Sequence, residues 1–390
     1  MEFPLAGLRV LDLSRVVSGP YATRMMADLG ADVVKVEPPS GDIARFWGEV
    51  RNGLSGFYTQ QNAGKRNICI DLDAAGAARL IFRLAMEADV LVENFRPGVM
   101  ARHGLAWETV SSSNPGLVML SITGFGQSGP QSERQTYASV IHAESGLLAR
   151  QAGIDRRPAT DPMLSIADAD AGLHGLVAVL AALVLRARTG QGQWIDMAML
   201  DAMLATDDYA HHALDGSPVH RLGGEVWDAA GGPVLISSEP KYLWHQVSSV
   251  HGVADPTPPG AGLADKIACR RRAVAAWLTS FTDRSALTTA LEEANLAWAD
   301  VPSQAEALST PRAQARGVVA TVDDGGGGLR RVVQSPYRFS AALSGVRAGA
   351  PHRGEHNSAV LADWLGMTAP ETEVLVRDGI LQAEPGRPRR

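Results

Sequence analysis

The sequence predicts an α/β protein, with a mainly parallel, doubly wound sheet in a large domain and a smaller α+β domain after it. Three observations point there. Short apolar runs suited to buried strands alternate with stretches of helical period between residues 8 and 123. Polar, glycine-bearing segments (SRVVSGP, ENFRPG, TGFGQSGP) follow those runs, at the strand ends where such sheets collect ligands. Near residue 215 the texture changes, and Gly, Pro and His become frequent.

Taken in order, LRVLDL at 8–13 reads as a buried strand and Tyr21–Leu29 as a helix stopped by Gly30. ADVVKVE (31–37) and ICIDL (68–72) read as strands, 74–88 as a helix, and 89–94 and 117–123 as strands. A long apolar helix is expected over 172–188, ended by Thr189-Gly190-Gln191-Gly192, then a strand at 193–199 and a helix over 199–214. These elements make a large domain at 1–215. A short strand at 232–237 and three serial helices place a smaller domain at 216–330, with GGGG at 325–328 as a loop. Residues 331–390 carry a last helix, NSAVLADWLG, and a polar Pro/Arg-rich tail.

The 390 residues are 45% apolar and 20% charged, enough for more than one core. A net charge of −6 argues against a nucleic-acid or membrane-surface protein. The longest apolar run, Leu176–Leu185, is short of the roughly 20 residues that span a bilayer. The N-terminus has Glu2 and no basic segment before an apolar run, so no signal peptide is expected. Cys69 and Cys269 have no metal or redox spacing, and free thiols in a reducing, cytoplasmic compartment are expected.

Several motifs invite chemistry. GFGQSG (124–129) matches a dinucleotide fingerprint and Glu144 follows at the matching distance, but PQSERQ after Gly129 has no apolar helix face. A glycine loop at a strand end is the better account. Asp207, Asp208, His211 and His212 form two Asp/His pairs at i, i+4 on a helix; a metal site or a solvated helix end would both fit. His142 and Glu144 are two apart on a helix and face apart. In SIADADAGLHG (165–175), Asp168 and Asp170 lie about 200° apart around a helix, so only one faces a given small site. Ser165 and Asp168 have the spacing of a capping box, and Asp170 with His174 that of a surface pair. A carboxylate there is favoured in its ionised form by the helix dipole, which suits a nucleophile. These grounds do not choose between the two acids.

LRVLDLSRVVSGP (8–20), LGADVVKVEPPSGDIAR (29–45), NAGKRNICIDL (62–72), ADVLVENFRPGVMARHGL (88–105), SITGFGQSGP (121–130), ADADAGLHGL…GQGQWIDMAMLDAML (167–204) and GEHNSAVLADWLG (354–366) resemble, in this order, the class III CoA-transferase (CaiB/BaiF) family. The resemblance implies a Rossmann-like large domain, a smaller domain, and a C-terminal segment returning to the large one. It also implies an obligate homodimer of interlocked rings. Coenzyme A and acyl-CoA are the implied substrates, with carboxylic acids as partners and no metal. A catalytic Asp four residues before a Gly at the head of the long helix falls on Asp168, before Gly172, and leaves Asp170 to helix electrostatics. The mechanism implied passes through an aspartyl-CoA thioester.

For CoA, the resemblance implies Arg15, Val16, Ser18, Asn94, Phe95, Arg102 and Tyr137. Pro38, Ala75 and Gln135 replace basic residues of the formyl-CoA transferases, and His103 an apolar one, so Lys65, Arg66 and Arg45 become candidates for the phosphates. Gly223-Gly224 or Gly231-Gly232 would supply a mobile cover. The alternative within the family is a 2-methylacyl-CoA racemase, which uses a His/Asp pair. Tyr137 and Ala138 occupy those positions, leaving His142 as the substitute base. A CoA-binding protein without catalysis is a third alternative.

Overall fold

The strands form where the apolar runs lie. The computed structural model describes residues 1–219 and 224–384. In it, β1 (Arg9–Asp12), β2 (Asp32–Glu37), β3 (Arg66–Ile70), β4 (Val90–Glu93), β5 (Val118–Thr123) and β6 (Trp194–Ala198) build one sheet. Its order is β3-β2-β1-β4-β5-β6, with every neighbour pair parallel. The short strand Leu381–Gln382 adds antiparallel to the outer edge of β3. From β1 the chain steps outward to β3, then returns to β4 on the other side of β1. Loops leaving β1 and β4 therefore diverge, and a crevice opens beyond their carboxyl ends. The central strands are buried on both faces, which is why VLD, VLVE and VMLSIT read as near-continuous apolar runs.

Helices cover both faces. On one, α1 (Ser18–Asp28) contributes Met25 and Met26 to a core shared with Val10, Val92 and Leu120. On the other, α2 (Ala77–Met86) packs Ile81 and Leu84 against Leu11, Ile68 and Leu91, with Trp364 from the helix Asn357–Leu365. A short helix, α3 (Ala138–Glu144), precedes the long α4 (Ile166–Thr189). The helix α4 begins at Ile166, earlier than expected, so both acids lie inside it. It is long and apolar enough to cross a membrane, but it packs on α1, β5 and α5 (Met199–Thr206) as a core helix.

The helix expected over 199–214 is broken. It stops at Thr206, and a second one runs Ala210–Leu214. Asp207 causes the break: its carboxylate takes Arg150 at 2.6 Å and accepts the Tyr209 N–H at 2.9 Å. Asp207 and Asp208 therefore do not share a helix with His211 and His212.

The chain divides into two compact units, Met1–Ala210 with the described residues from Gln314 onward, and His211–Ala313. The second unit has its own antiparallel sheet, with β8 (Val234–Ser237) between β7 (Glu225–Trp227) and β9 (Ala297–Asp300). Its core gathers Trp244, Val247, Leu278 and Leu287 from three helices. The hairpin Val319–Val333, grouped by texture with the smaller domain at 216–330, is fastened to the first unit. There the Arg330 guanidinium donates to Leu54 O at 2.7 Å.

Candidate active site

The crevice loops are held by one side chain. Asn94, directly after β4, accepts the Arg15 N–H through Oδ1 at 2.8 Å. Its Nδ2 donates to Arg15 O at 2.8 Å and to Ser18 Oγ at 3.1 Å. The β1–α1 turn carries a second constraint. Val16 has φ +69°, a left-handed conformation that costs a β-branched residue energy. The carboxylate of Asp42 holds it there, accepting the Val16 N–H at 3.1 Å, while Lys35 pairs with Asp42 at 3.2 Å.

These loops line a cleft of about 910 Å³ within the first unit. Six of the seven residues expected to meet CoA line it: Arg15, Val16, Ser18, Asn94, Phe95 and Tyr137. Arg15 lies over the Phe95 ring, 5.5 Å from its centroid. Tyr137 is exposed at the N-cap of α3. Arg102 is different. It ends the short helix Val99–Arg102 pointing to solvent, and it is not among the cleft residues; Arg96 and His103 are.

Asp168 lines the same cleft at the third position of α4. Burial pushes its carboxyl up to about 6, against lowering by His142 and by the N–H and hydroxyl of Ser18. It is thus less acidic than the helix dipole alone implies, yet ionised at neutral pH. The capping box does not form, since Ser165 makes no side-chain cap. A residue distant in sequence replaces it: His142, buried on α3, accepts the Ala167 N–H on Nε2 at 3.2 Å, and its Nδ1 meets Asp161 at 2.7 Å. The Gly172 spacing also has a physical reason. One turn below Asp168 on the same face, a Cβ at 172 would lie 2.7 Å from Ser18 O. Only glycine lets the first turn of α1 approach α4 that closely. Asp170 turns away, towards His174 and Thr206; burial raises its carboxyl and one oxygen has no partner among the described residues.

Lys65, Arg45 and Arg66 are not free for phosphate. Lys65 is buried and donates to Asp12 at 2.9 Å, Asn62 at 2.9 Å and Pro20 O at 3.0 Å. Arg45 is buried against Glu37 at 2.8 Å and Tyr58 Oη at 2.7 Å. Arg66 bridges Asp32 at 2.9 Å and Asp363 at 2.6 Å. Lys65 and Arg45 thus brace the carboxyl ends of β1 and β2, and Arg66 the amino ends of β2 and β3. Burial would raise the Asp12 carboxyl, but Lys65, Lys35, Ser14 and Thr23 hold it at about 2. Sequence reasoning missed Asp12, Lys35, Asp42 and Glu93 as parts of the site. Their signal was polar residues at the ends of apolar strands, LD, VKVE and VEN. Glu93 is buried and accepts the Phe95 N–H at 2.8 Å; burial lifts it to about 7 against the Ser121 and Phe95 hydrogen bonds.

The glycine loop is confirmed as a loop. Gly126 and Gly129 have positive φ, Asp196 accepts the Gln127 N–H at 3.0 Å, and no helix opens before Ala138. Gly124 permits Thr136 to close in, with 2.5 Å between a built Cβ and the threonine oxygen. Among the described residues no three His, Cys, Asp or Glu side chains cluster to hold a metal. Of the proposed cover glycines, Gly223 lies outside the described residues, and Gly224, Gly231 and Gly232 belong to the second unit.

A parallel sheet in this order, with helices on both faces and a carboxylate at the head of a helix in the switch-point cleft, defines an α/β protein of mainly parallel sheet. The chain matches the profile of CoA-transferase family III over residues 5–357. It is 33% identical to a succinate–glutarate CoA-transferase of Agrobacterium fabrum, covering 92% of this chain and 95% of the relative. It is 31% identical to a formyl-CoA:oxalate CoA-transferase of Streptomyces avermitilis, covering 98% and 100%. A solved CaiB/BaiF family protein from Brucella suis superposes with TM-score 0.81 at 30% identity, covering 93% of this chain and all of that one. The chain belongs to CoA-transferase family III and is an enzyme that transfers CoA.

Proposed function

We propose that Asp168 carries the CoA between two acyl groups. The observation that supports this is its placement, an ionisable carboxylate in the switch-point cleft beside the Ser18 donors. In this mechanism an Asp168 oxygen attacks the thioester carbonyl of the donor acyl-CoA, giving a mixed anhydride and CoA thiolate. The thiolate attacks the aspartyl carbonyl, expels the donor acid and leaves an aspartyl-CoA thioester. The acceptor carboxylate attacks that thioester, releasing thiolate and a second anhydride. The thiolate then takes the acceptor acyl group and frees Asp168. Each step exchanges one activated acyl group for another, so no external energy source enters. Carboxylates are weak nucleophiles, and positioning supplies much of the rate. Arg15, Val16, Ser18, Asn94, Phe95 and Tyr137 are the proposed CoA contacts.

The acids proposed are short dicarboxylates. Succinate and glutarate figure in the name of one relative, and succinyl-CoA and D-citramalate in that of a Chloroflexus aurantiacus relative, 30% identical over 95% of this chain. Arg15 and Arg96 line the cleft with no ion pair among the described residues and supply positive charge for them. The racemase alternative loses its substitute base, because the Nε2 lone pair of His142 is taken by the Ala167 N–H.

A homodimer fits the surface of α4. Leu173, Val177 and Val184 are 38%, 64% and 63% exposed along one side of that helix. A second copy would cover them, and the interlocked arrangement belongs to this proposal. Unpaired Cys69 and Cys269 fit a cytoplasmic location.

Succinyl-CoA incubated with the enzyme, followed by digestion and mass spectrometry, tests the mechanism. CoA on the peptide holding Asp168 is expected. Full turnover by Asp168→Ala would overturn it. A panel of acyl-CoA donors against mono- and dicarboxylates tests the substrate class.

A further inference from the structure

The short helix Val99–Arg102 follows β4 at the rim of the cleft, and one of its sides fronts it. Val99 and His103 are one turn apart and line the cleft; Arg102, about 100° around from His103, does not. Met100 turns inward, into the apolar cluster with Leu11, Ile68 and Leu91. His103 is half-buried. Its backbone N–H donates to Val99 O and Met100 O, and its imidazole has no hydrogen bond or ion pair among the described residues.

Asp168 and His103 reach this cleft from opposite faces of the sheet. Ala167 and Ala171, on the helix of Asp168, belong to the cluster beneath α1, and Met100 to the cluster beneath α2. The cleft thus passes over the carboxyl ends of the strands from one face to the other. CoA is a long molecule with its thiol at one end and its phosphates at the other. A thioester carbonyl at Asp168 sends the phosphates along the cleft, away from α4. Asp71 and Asp73 line the cleft after β3, with β2 and β1 between them and β4, so the phosphates meet less repulsion on the β4 side. Arg102 points to solvent, and Arg134 in the cleft is paired with Glu144 at 2.6 Å. An imidazole offers an N–H donor in either protonation state, which the apolar residue of the formyl-CoA transferases at this position does not.

We propose that His103 is a CoA-binding residue whose imidazole donates a hydrogen bond to a phosphate of CoA. It rests on the CoA-transferase assignment, and on the Asp168 mechanism for which end of the cleft holds the thioester.

His103→Leu and His103→Arg test it, by titration calorimetry with free CoA and by kinetics with the acyl-CoA donor that turns over fastest. The leucine variant is expected to bind CoA about tenfold more weakly and to lose a similar factor in kcat/KM for the donor, with kcat changed less than about twofold. The arginine variant, which keeps a donor, is expected to bind CoA within about threefold of the parent. With dephospho-CoA the loss caused by leucine persists if the contact is to the pyrophosphate and disappears if it is to the 3′-phosphate; either supports the proposal. Wild-type affinity for CoA in His103→Leu would overturn it. So would an equal loss of kcat/KM with the matching acyl-pantetheine, which carries no phosphate. If the leucine variant does not fold, His103→Ala against His103→Arg makes the same comparison. The calorimetry does not depend on the aspartyl chemistry: full turnover by Asp168→Ala would remove that mechanism and leave the CoA affinities of the His103 variants to be judged alone.

Discussion

Asp168 is held between two demands. In the proposed mechanism it must be ionised to attack, and burial raises its carboxyl to about 6. On the acid side kcat/KM is therefore expected to fall about tenfold per pH unit below pH ~6 and to level off above it. A pH–rate profile checks this; a plateau extending to pH ~4 would contradict it. The stability effect has the opposite sign. Folding raises this pKa above its unfolded value of 3.8, so the contribution is full below that value and is lost as pH rises through about 6. Asp168→Asn is then expected to melt higher than the parent at pH 8 and equal to it at pH 4, with turnover abolished. Gly172→Ala belongs to the same scale. Alanine gains about 1 kcal/mol of helix propensity, but its Cβ would lie 2.7 Å from the Ser18 carbonyl. Backbone cannot give way as a side chain would, and overpacking of about 1–3 kcal/mol outweighs the gain. A lower melting temperature with reduced kcat is expected.

At the scale of elements, the head of α4 depends on α3. His142 supplies the cap that Ser165 does not, and Asp161 holds the ring. His142→Leu keeps the bulk and removes the acceptor. The expected result is a loss of about 1 kcal/mol in denaturant unfolding, the usual worth of a cap, together with a several-fold fall in kcat as the first turn frays. The β1–α1 turn depends on the floor beneath it. Asp42 restrains Val16 and pairs with buried Lys35, so Asp42→Ala takes away that cation's ion-pair partner and leaves it Ser14 O and the charges of Asp12 and Glu37. A loss of about 3–5 kcal/mol is expected, with a raised KM for acyl-CoA in whatever folds. Neither dependence is visible along the chain, because the partners are 25 and 26 residues apart.

Across the whole molecule, the exposed side of α4 carries the proposed dimer. Val177→Lys places a charge in the middle of the apolar stripe, and native mass spectrometry is expected to show monomer where the parent shows dimer. An unchanged dimer would move the interface elsewhere. The sequence by itself determined the sheet strands and the glycine loop, because alternation of apolar runs and local backbone needs are written over neighbouring residues; the choice of Asp168 over Asp170 rested on the resemblance to the family. It misjudged which charges meet the basic residues near the sheet. Lys65, Arg45 and Arg66 have the chemistry of phosphate ligands, and only the tertiary structure shows them spent on Asp12, Glu37, Asp32 and Asp363. The hairpin at 319–333 went astray for the same reason, since Arg330 is fixed by Leu54 across 276 residues. A side chain's type sets what it can bind, and its neighbours in space set what remains for it to bind. That division is why the proposed nucleophile on a helix was legible and the residues that orient and cap it were not.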